Sequence, residues 1–232
     1  MNDANPALLK VTGLKKSFVA PDGISQCIVD VAEFSLMQSE QLALAGESGS
    51  GKTTFLNLIA GILKPDSGSI QLGDVMVSEL SESKRDRFRA LSIGYIFQTF
   101  NLLQGYTCLE NVLLGMAFGY GADRGYAKNL LKHVGLGDRL HHRPNQLSTG
   151  QQQRVAVARA LANNPKLVLA DEPTGNLDRK SSRTALALIR SACHENGAAL
   201  LLVSHDAELL GQFDDVQDFT KINQAVAVEV TA

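Results

Sequence analysis

The chain has 232 residues, of which 44% are hydrophobic and 20% are charged, and its formal net charge at pH 7 is -2. This length suits one large α/β domain or a domain with an inserted subdomain, and the composition is ordinary for a globular protein with a sizeable core. No basic excess is available to neutralise a phosphate backbone, so we do not expect nucleic acid as a partner.

No apolar run in the sequence is long enough to cross a membrane. Runs such as LALAG, LVLA and AALLLV fall far short of the roughly 20 residues that a transmembrane helix needs. The start, MNDANPALLK, lacks a basic region followed by an apolar run, so we expect no signal peptide. The scattered cysteines, Cys27, Cys108 and Cys193, are expected to be reduced, as in a cytosolic protein. If the protein works at a membrane, another chain must provide the span.

Residues 1 to 40 and 66 to 80 predict an antiparallel β portion that flanks the core. Both contain extended segments with Val and Ile, such as QCIVDVAEF and SGSIQLGDV. Turn signals lie at Pro21-Asp22-Gly23 and at Pro65-Asp66-Ser67-Gly68.

Three short, continuous apolar runs predict the buried strands of a parallel sheet. They cover residues 41–45, 166–170 and 199–203, and each is followed by a glycine-rich or polar loop. Ligands in open α/β sheets bind beyond the carboxyl ends of the strands, so we expect these three loops to share one site.

The first of these loops has the pattern of a phosphate-binding loop. Gly46 to Thr53 reads GESGSGKT, which fits G-x-x-x-x-G-K-[ST]. Its glycines allow backbone N–H groups to turn toward a triphosphate, and the helix that follows presents its positive dipole end to the same phosphates. Lys52 can reach the β- and γ-phosphates, and the Thr53 hydroxyl can ligate Mg²⁺. A glycine-rich turn with a chance lysine is the alternative, but the strand before and the helix after favour phosphate binding.

Residues 99 to about 163 are predicted to be mostly helical. One helix is expected from about Thr149 to Ala162, with Ser148 as its N-cap and Gln151 at the capping-box position. The Ser148 hydroxyl, the bare backbone of Gly150 and the helix dipole form a second anion-binding surface, which could serve the ATP of a partner. A capped helix with no ligand is the alternative.

The second apolar strand runs into two acidic residues. Asp171, at the end of KLVLADE, is placed where a nucleotide-bound Mg²⁺ needs a carboxylate, and Glu172 can polarise the water that attacks the γ-phosphorus. The alternative is an acidic helix N-cap.

Five motifs in this order resemble the nucleotide-binding domain of ABC transporters. GESGSGKTT resembles its Walker A loop, YIFQ its Q-loop, LSTGQQQRVAVARAL its signature sequence, LVLADEPTGNLD its Walker B motif and D-loop, and LLVSHD its switch-histidine segment. Thr149 stands where the family more often has glycine. The resemblance implies an α/β fold: a P-loop NTPase core with a parallel sheet, an antiparallel β subdomain and an inserted helical subdomain near residues 99–163, all within one domain of residues 1–232.

The resemblance also implies a role for each matching residue. Catalytic roles fall to Gln98, Glu172 and His205, and Mg²⁺ ligation to Thr53, Gln98 and Asp171. Phe18 would stack on adenine, unless it is a core phenylalanine of an edge strand. Ser148, Gly150 and Gln151 would meet the γ-phosphate of the other subunit, and Asp178 would link the two sites of the dimer. The residues implied to bind nucleotide are Phe18, Gly46, Glu47, Ser48, Gly49, Ser50, Gly51, Lys52, Thr53, Thr54, Ser148, Gly150, Gln151 and Asp178.

Two stretches, FQTFNLLQGYTCLENVLLG and DEPTGNLD, together with the lack of a long C-terminal extension, resemble one subgroup. It comprises the ATPases of lipoprotein-releasing, macrolide-export and cell-division complexes. The stretch GQFDDVQDFTKIN departs from the short hairpin with Asp-Gly that is expected after the switch histidine. The tail VAVEVTA is compatible with a final strand or with disorder.

The resemblance therefore implies an ATPase subunit that dimerises around two ATP molecules with Mg²⁺. The dimer would lie at the cytoplasmic face of the inner membrane and drive a transmembrane permease, as an exporter or in lipoprotein release. An importer ATPase is an alternative. A soluble ABC ATPase of DNA repair or of ribosomes is disfavoured, because the chain has neither a long insertion nor a tandem ATPase unit. A non-catalytic regulatory module is disfavoured by the complete set of Lys52, Asp171, Glu172 and His205.

Overall fold

An antiparallel sheet is built from the N-terminal part of the chain. The computed structural model describes residues 7–21 and 23–225. The sheet has the strand order β2-β1-β4-β5. Along β1, Leu9, Val11 and Leu14 are buried while most residues between them are exposed, as expected for a sheet with one face on the core. The strands are β1 (Ala7–Val19), β2 (Ser25–Met37), β4 (Ser67–Leu72) and β5 (Val75–Met76).

A second sheet has five parallel strands in the order β6-β7-β8-β3-β9. The three apolar runs form its strands as predicted, although the second and third each end one residue later than expected. Because the strands are parallel, the loops after β3, β7 and β8 meet at one edge. The strands are β3 (Gln41–Ala45), β6 (Ile93–Ile96), β7 (Leu167–Asp171), β8 (Ala199–Ser204) and β9 (Asp215–Asp218).

The helices cover both faces of the parallel sheet. Val168 and Ala170 of β7 belong to one buried cluster with the helices after β6, whereas Leu167 and Leu169 belong to another with the antiparallel sheet. The α/β fold predicted from the sequence is confirmed. None of the helices among the described residues is long and apolar enough to span a bilayer. The helices are α1 (Lys52–Ile59), α2 (Glu82–Ser92), α3 (Cys108–Ala117), α4 (Arg124–His133), α5 (Thr149–Ala160), α6 (Arg179–Glu195), α7 (Ala207–Leu210) and α8 (Phe219–Ile222).

The capping box predicted for α5 is present. The Ser148 hydroxyl accepts from the Gln151 N–H at 3.3 Å, and the Gln151 side chain accepts from the Ser148 N–H at 3.0 Å. The helix ends at Ala160, two residues earlier than predicted.

The chain after His205, the predicted switch histidine, forms no hairpin within its described residues. Strand β9 instead joins the sheet beside β3, and the single turn α8 follows it directly. The tail whose structure the sequence left open, residues 226–232, lies outside the described residues.

Candidate nucleotide-binding site

The loop between β3 and α1 has a backbone that requires glycine. Gly49 and Gly51 have φ angles of 82° and 92°, in the left-handed region that other residues rarely adopt. A Cβ on Gly51 would also lie 2.6 Å from the Ile28 carbonyl oxygen of β2. Substitution at Gly51 is therefore excluded both by its conformation and by the close approach of β2.

Lys52 lies across this loop and is almost completely buried. Its Nζ donates to the carbonyl oxygens of Gly46 at 2.6 Å and Glu47 at 2.7 Å, and the residue is 6% exposed. Burial lowers the pKa of Lys52, while Glu172 and Asp171 act in the opposite direction. The loop thus holds a positive charge with its own backbone, at the place where phosphate oxygens would enter.

Thr53 and Asp171 bring two oxygen donors together. The Thr53 hydroxyl donates to Asp171 Oδ1 at 3.1 Å, which joins the first turn of α1 to the end of β7. Burial raises the pKa of the Asp171 carboxyl. A hydroxyl and a carboxylate side by side are hard oxygen ligands of the kind that Mg²⁺ prefers, so these residues fit that ion.

Glu172 is held toward the end of β8. Ser204 Oγ donates to Glu172 Oε2 at 2.9 Å, and the His205 N–H donates to Oε1 at 3.0 Å. The His205 ring atom Nδ1 lies 2.6 Å from the same Oε1. Glu172 has a φ of 43°, and a non-glycine residue in this region marks local strain that is often found at functional sites. The predicted base and the predicted switch histidine therefore form one hydrogen-bonded unit.

The backbone around Gln98 is held from two sides. On one side Asn176 Nδ2 donates to the Gln98 carbonyl at 2.8 Å. On the other, the Arg159 guanidinium of α5 donates to the carbonyls of Phe100 and Asn101 at 2.7 and 2.5 Å, and both of these residues have positive φ. Neither Asn176 nor Arg159 was predicted from the sequence. The sequence signal for Asn176 was a polar residue inside the D-loop motif, and that for Arg159 was a charged residue within the apolar stretch VAVARA of α5.

These side chains surround a cleft of about 250 Å³ at the edge of the parallel sheet. The remaining predicted residues of the phosphate loop do not line the cleft; these are Gly46, Glu47 and Ser50. Ile28 also lines the cleft, and no pattern in the sequence pointed to it. The lining residues are Ile28, Ser48, Gly49, Gly51, Lys52, Thr53, Thr54, Gln98, Asp171, Glu172 and His205.

Phe18 does not line this cleft. It lies near the end of β1 with 42% of its surface exposed, and Lys16 Nζ is 5.5 Å from the centre of its ring. This exposure excludes the reading of Phe18 as a core residue and leaves its ring accessible for stacking.

Ser148, Gly150, Gln151 and Asp178 also lie outside the lining of the cleft. Ser148 and Asp178 are exposed, and a Cβ on Gly150 would meet nothing within 4 Å. Asp178 caps α6, and its hydrogen bonds from Ser181 lower the pKa of its carboxyl. The structure thus separates the residues predicted to serve the subunit's own nucleotide from those predicted to serve a partner's.

Comparison with known proteins decides the family. Residues 29–175 match the family model for ABC transporters. The chain belongs to this family. The lipoprotein-releasing system ATP-binding protein LolD of Shewanella oneidensis is 44% identical to this ABC ATPase over 211 residues, which cover 89% of this chain and 91% of LolD. The macrolide export ATP-binding/permease protein MacB of Rhodopirellula baltica is 42% identical over 214 residues, which cover 90% of this chain and 31% of MacB.

A solved structure agrees with this assignment. The ATP-binding cassette MJ0796, in a dimeric post-hydrolysis state bound to ADP and Pi, superposes with a TM-score of 0.79 at 36% sequence identity, covering 87% of this chain and 90% of that one. The predicted family, its fold and its resemblance to the lipoprotein-releasing and macrolide-export subgroup are confirmed. The protein is an ATP-binding, ATP-hydrolysing subunit of an ABC transporter.

Proposed function

We propose that two copies of this ABC ATPase enclose two ATP molecules and that their closing and opening drives a permease of the lipoprotein-releasing or exporting type. The observation that carries the proposal is the separation of two anion-binding surfaces on one chain. Lys52 and Thr53 line the subunit's own cleft, whereas Ser148, the N-cap of α5, stands exposed outside it. Relatives named for lipoprotein release and macrolide export favour this direction over import.

The reaction is phosphoryl transfer to water, achieved by positioning and electrostatics. Lys52 neutralises charge on the phosphates. Thr53, Asp171 and Gln98 would hold Mg²⁺, which when bound would offset the negative charge of the triphosphate. Glu172 accepts the proton of the attacking water after its Oε1 turns away from His205. The γ-phosphate offers His205 another hydrogen-bond acceptor, which makes that turn possible.

The remaining assignments belong to the same proposal. Residues 1–232 form one ABC ATPase domain with a helical subdomain at about residues 99–163, and Phe18 stacks on adenine. The protein works at the cytoplasmic face of the inner membrane, as a peripheral subunit attached through its permease. Its partners are that permease and a second copy of the chain.

Replacing Ser148 with arginine tests the two-surface arrangement. Ser148→Arg should leave ATP binding to the monomer unchanged, because Ser148 lies outside the subunit's own cleft. Cooperative hydrolysis should fall on the order of 10²-fold, the scale for losing one donor to transition-state charge. Calorimetry measures the binding and phosphate release measures the rate. His141→Arg, at an exposed loop position, is the matched control. A loss of ATP affinity as severe as that of a Lys52 variant would show that both loops serve one site.

The permease contact is expected between Gln98 and Glu110. Leu103 and Tyr106 are 43% and 46% exposed there, just after the predicted phosphate-sensing glutamine. Next to this stretch, a groove of about 710 Å³ lined by both apolar and charged side chains runs between α2 and the helices after β6, with the 69% exposed Phe118 at its wall. Exposed aromatic side chains such as Tyr106 and Phe118 are of the type enriched in protein–protein interfaces.

Cysteine cross-linking tests this placement. Leu103→Cys in a Cys27→Ser background should capture the co-expressed permease, because Cys108 and Cys193 are buried and do not compete. Glu79→Cys, on the exposed turn after β5, is the control and should capture none. Capture from Glu79→Cys alone would place the permease on the opposite face.

A further inference from the structure

Asn223, near the end of the described chain, contacts the phosphate loop from behind. It lies 173 residues after Ser50, yet its Nδ2 donates to the Ser50 carbonyl oxygen at 3.0 Å. It also lies outside residues 29–175, the part of the chain that matches the family model. None of the five sequence motifs includes it, and it belongs to the stretch that departs from the expected hairpin.

The donors and the acceptor of the Asn223 side chain all have partners. Their hydrogen bonds join the phosphate loop, β2 and the chain that follows Asn223. The second Nδ2 hydrogen is donated to the Ile28 carbonyl oxygen of β2 at 2.9 Å. The Asn223 Oδ1 accepts from the N–H of Asp30 at 2.7 Å and from that of Ala225 at 3.3 Å. Asn223 is only 8% exposed, so these bonds are made largely out of contact with solvent.

The bond to Ser50 has a consequence inside the cleft. The Ser50 carbonyl and the Gly51 N–H belong to one planar trans peptide, in which the two groups point in opposite directions. With the carbonyl held toward Asn223, the N–H of Gly51 is directed to the other side of the peptide. Gly51 lines the cleft, and its left-handed φ of 92° would otherwise be one of many conformations open to glycine.

Asn223 is itself held in place. Asp218 of β9 pairs with Ala45, the last residue of the strand that leads into the phosphate loop. Phe219 follows, is fully buried and packs against Phe55 of α1 with 5.2 Å between ring centroids. On the far side, the N–H of Gln224 donates to the Asp30 carbonyl oxygen at 2.7 Å. The stretch from β9 to Gln224 therefore forms a brace between β2, β3 and α1.

We propose that Asn223 is a positioning residue that presets the phosphate loop for the triphosphate. It fixes the peptide between Ser50 and Gly51, so that the loop does not have to be ordered when nucleotide binds. This inference rests on the proposed ATP site, and it adds to that site a residue from a segment of the chain that none of the motifs covers.

Two substitutions test the role. Asn223→Ala removes every side-chain hydrogen bond, whereas Asn223→Asp has nearly the same volume and keeps the acceptor for Asp30 but puts an oxygen against the Ser50 and Ile28 carbonyls. Each should weaken ATP binding, measured by calorimetry, about tenfold or more, the scale for losing buried hydrogen bonds. The KM for ATP should rise by a similar factor, with kcat within about twofold, because a contact that orders the ground state and the transition state equally changes KM alone. Gln224→Ala is the control and should behave as wild type, because Gln224 contributes only its backbone N–H to the brace and its side chain is exposed.

Inorganic tripolyphosphate distinguishes this role from a general structural one. Because the substitution alters the loop that binds the phosphates, the affinity of the variants for tripolyphosphate should fall by the same factor as their affinity for ATP. Loss for ATP alone, a fall in kcat at unchanged KM, or unchanged binding by the variants would each overturn the proposal. If Asn223→Ala does not fold, as judged by thermal unfolding, Asn223→Asp decides the question by itself. Failure of the wild-type chain to bind ATP in the same assay would instead count against the proposed function.

Discussion

Glu172→Gln is expected to stop hydrolysis and to trap an ATP-bound dimer. Glu172 accepts from Ser204 and His205 and lines the cleft with Lys52 and Asp171. Glutamine keeps the size and reach of the side chain but loses its charge and basicity. Hydrolysis should fall by ~10²-fold or more, the usual scale for losing a general base. Nucleotide binding should survive or improve, because a negative charge close to the γ-phosphate has gone.

The dimer follows from the balance of charge at the interface. Two ATP molecules bring several negative charges, which Lys52, Mg²⁺ and the helix dipoles behind the phosphate and signature loops offset. Intact ATP is then expected to join the two subunits, because in the proposed dimer the signature loop of one subunit would contact the γ-phosphate bound to the other. On gel filtration, Glu172→Gln should run as a dimer with ATP and Mg²⁺ and as a monomer with ADP.

Two further variants make this result specific. Asp171→Asn removes the carboxylate that accepts from Thr53 and that is predicted to ligate Mg²⁺. This variant should therefore bind the nucleotide more weakly and should not trap a dimer. Glu79→Gln, an exposed position away from the cleft, controls for the loss of one negative charge. Near wild-type hydrolysis by Glu172→Gln would show that Glu172 is not the base. A monomer with ATP despite lost hydrolysis would show either that the ATP-sandwich dimer is wrong for this chain or that the dimer needs its permease to form.

Lys52→Ala should abolish ATP binding at micromolar nucleotide. The lysine places its charge in the loop through bonds to the carbonyls of Gly46 and Glu47, where phosphate oxygens would replace those carbonyls as acceptors. Charge-assisted bonds of this kind contribute about 1.5–3 kcal/mol each, so losing two of them weakens binding by ~10²-fold or more.

The fold should survive this substitution, because the Lys52 ammonium group binds loop carbonyls rather than packing in the core. Circular dichroism should be unchanged, and calorimetry with ATP measures the loss of binding. Lys64→Ala, at an exposed lysine beyond the far end of α1, is the matched control and should bind ATP normally. Normal ATP binding by Lys52→Ala would mean that the phosphate site lies elsewhere.

Elements that follow local rules could be predicted from the amino-acid sequence alone. The glycines of the phosphate loop, the capping box of Ser148 and Gln151, and the continuous apolar runs of β3, β7 and β8 each depend on neighbours within a few residues. Loops after parallel strands meet at one edge, so the sequence also predicts that Lys52, Asp171 and His205 lie near one another.

Contacts between residues far apart in the sequence could not be predicted in this way, because they depend on how the elements pack. The pair of Glu172 and His205 depends on β7 and β8 being neighbours, and the brace from Asn223 to Ser50 depends on β9 lying beside β3. The hydrogen bonds from Arg159 to the backbone after Gln98 depend on how α5 packs. A hydrogen bond across 173 residues has no periodic signature, because its donor and acceptor are brought together by strand order and packing rather than by their own sequence.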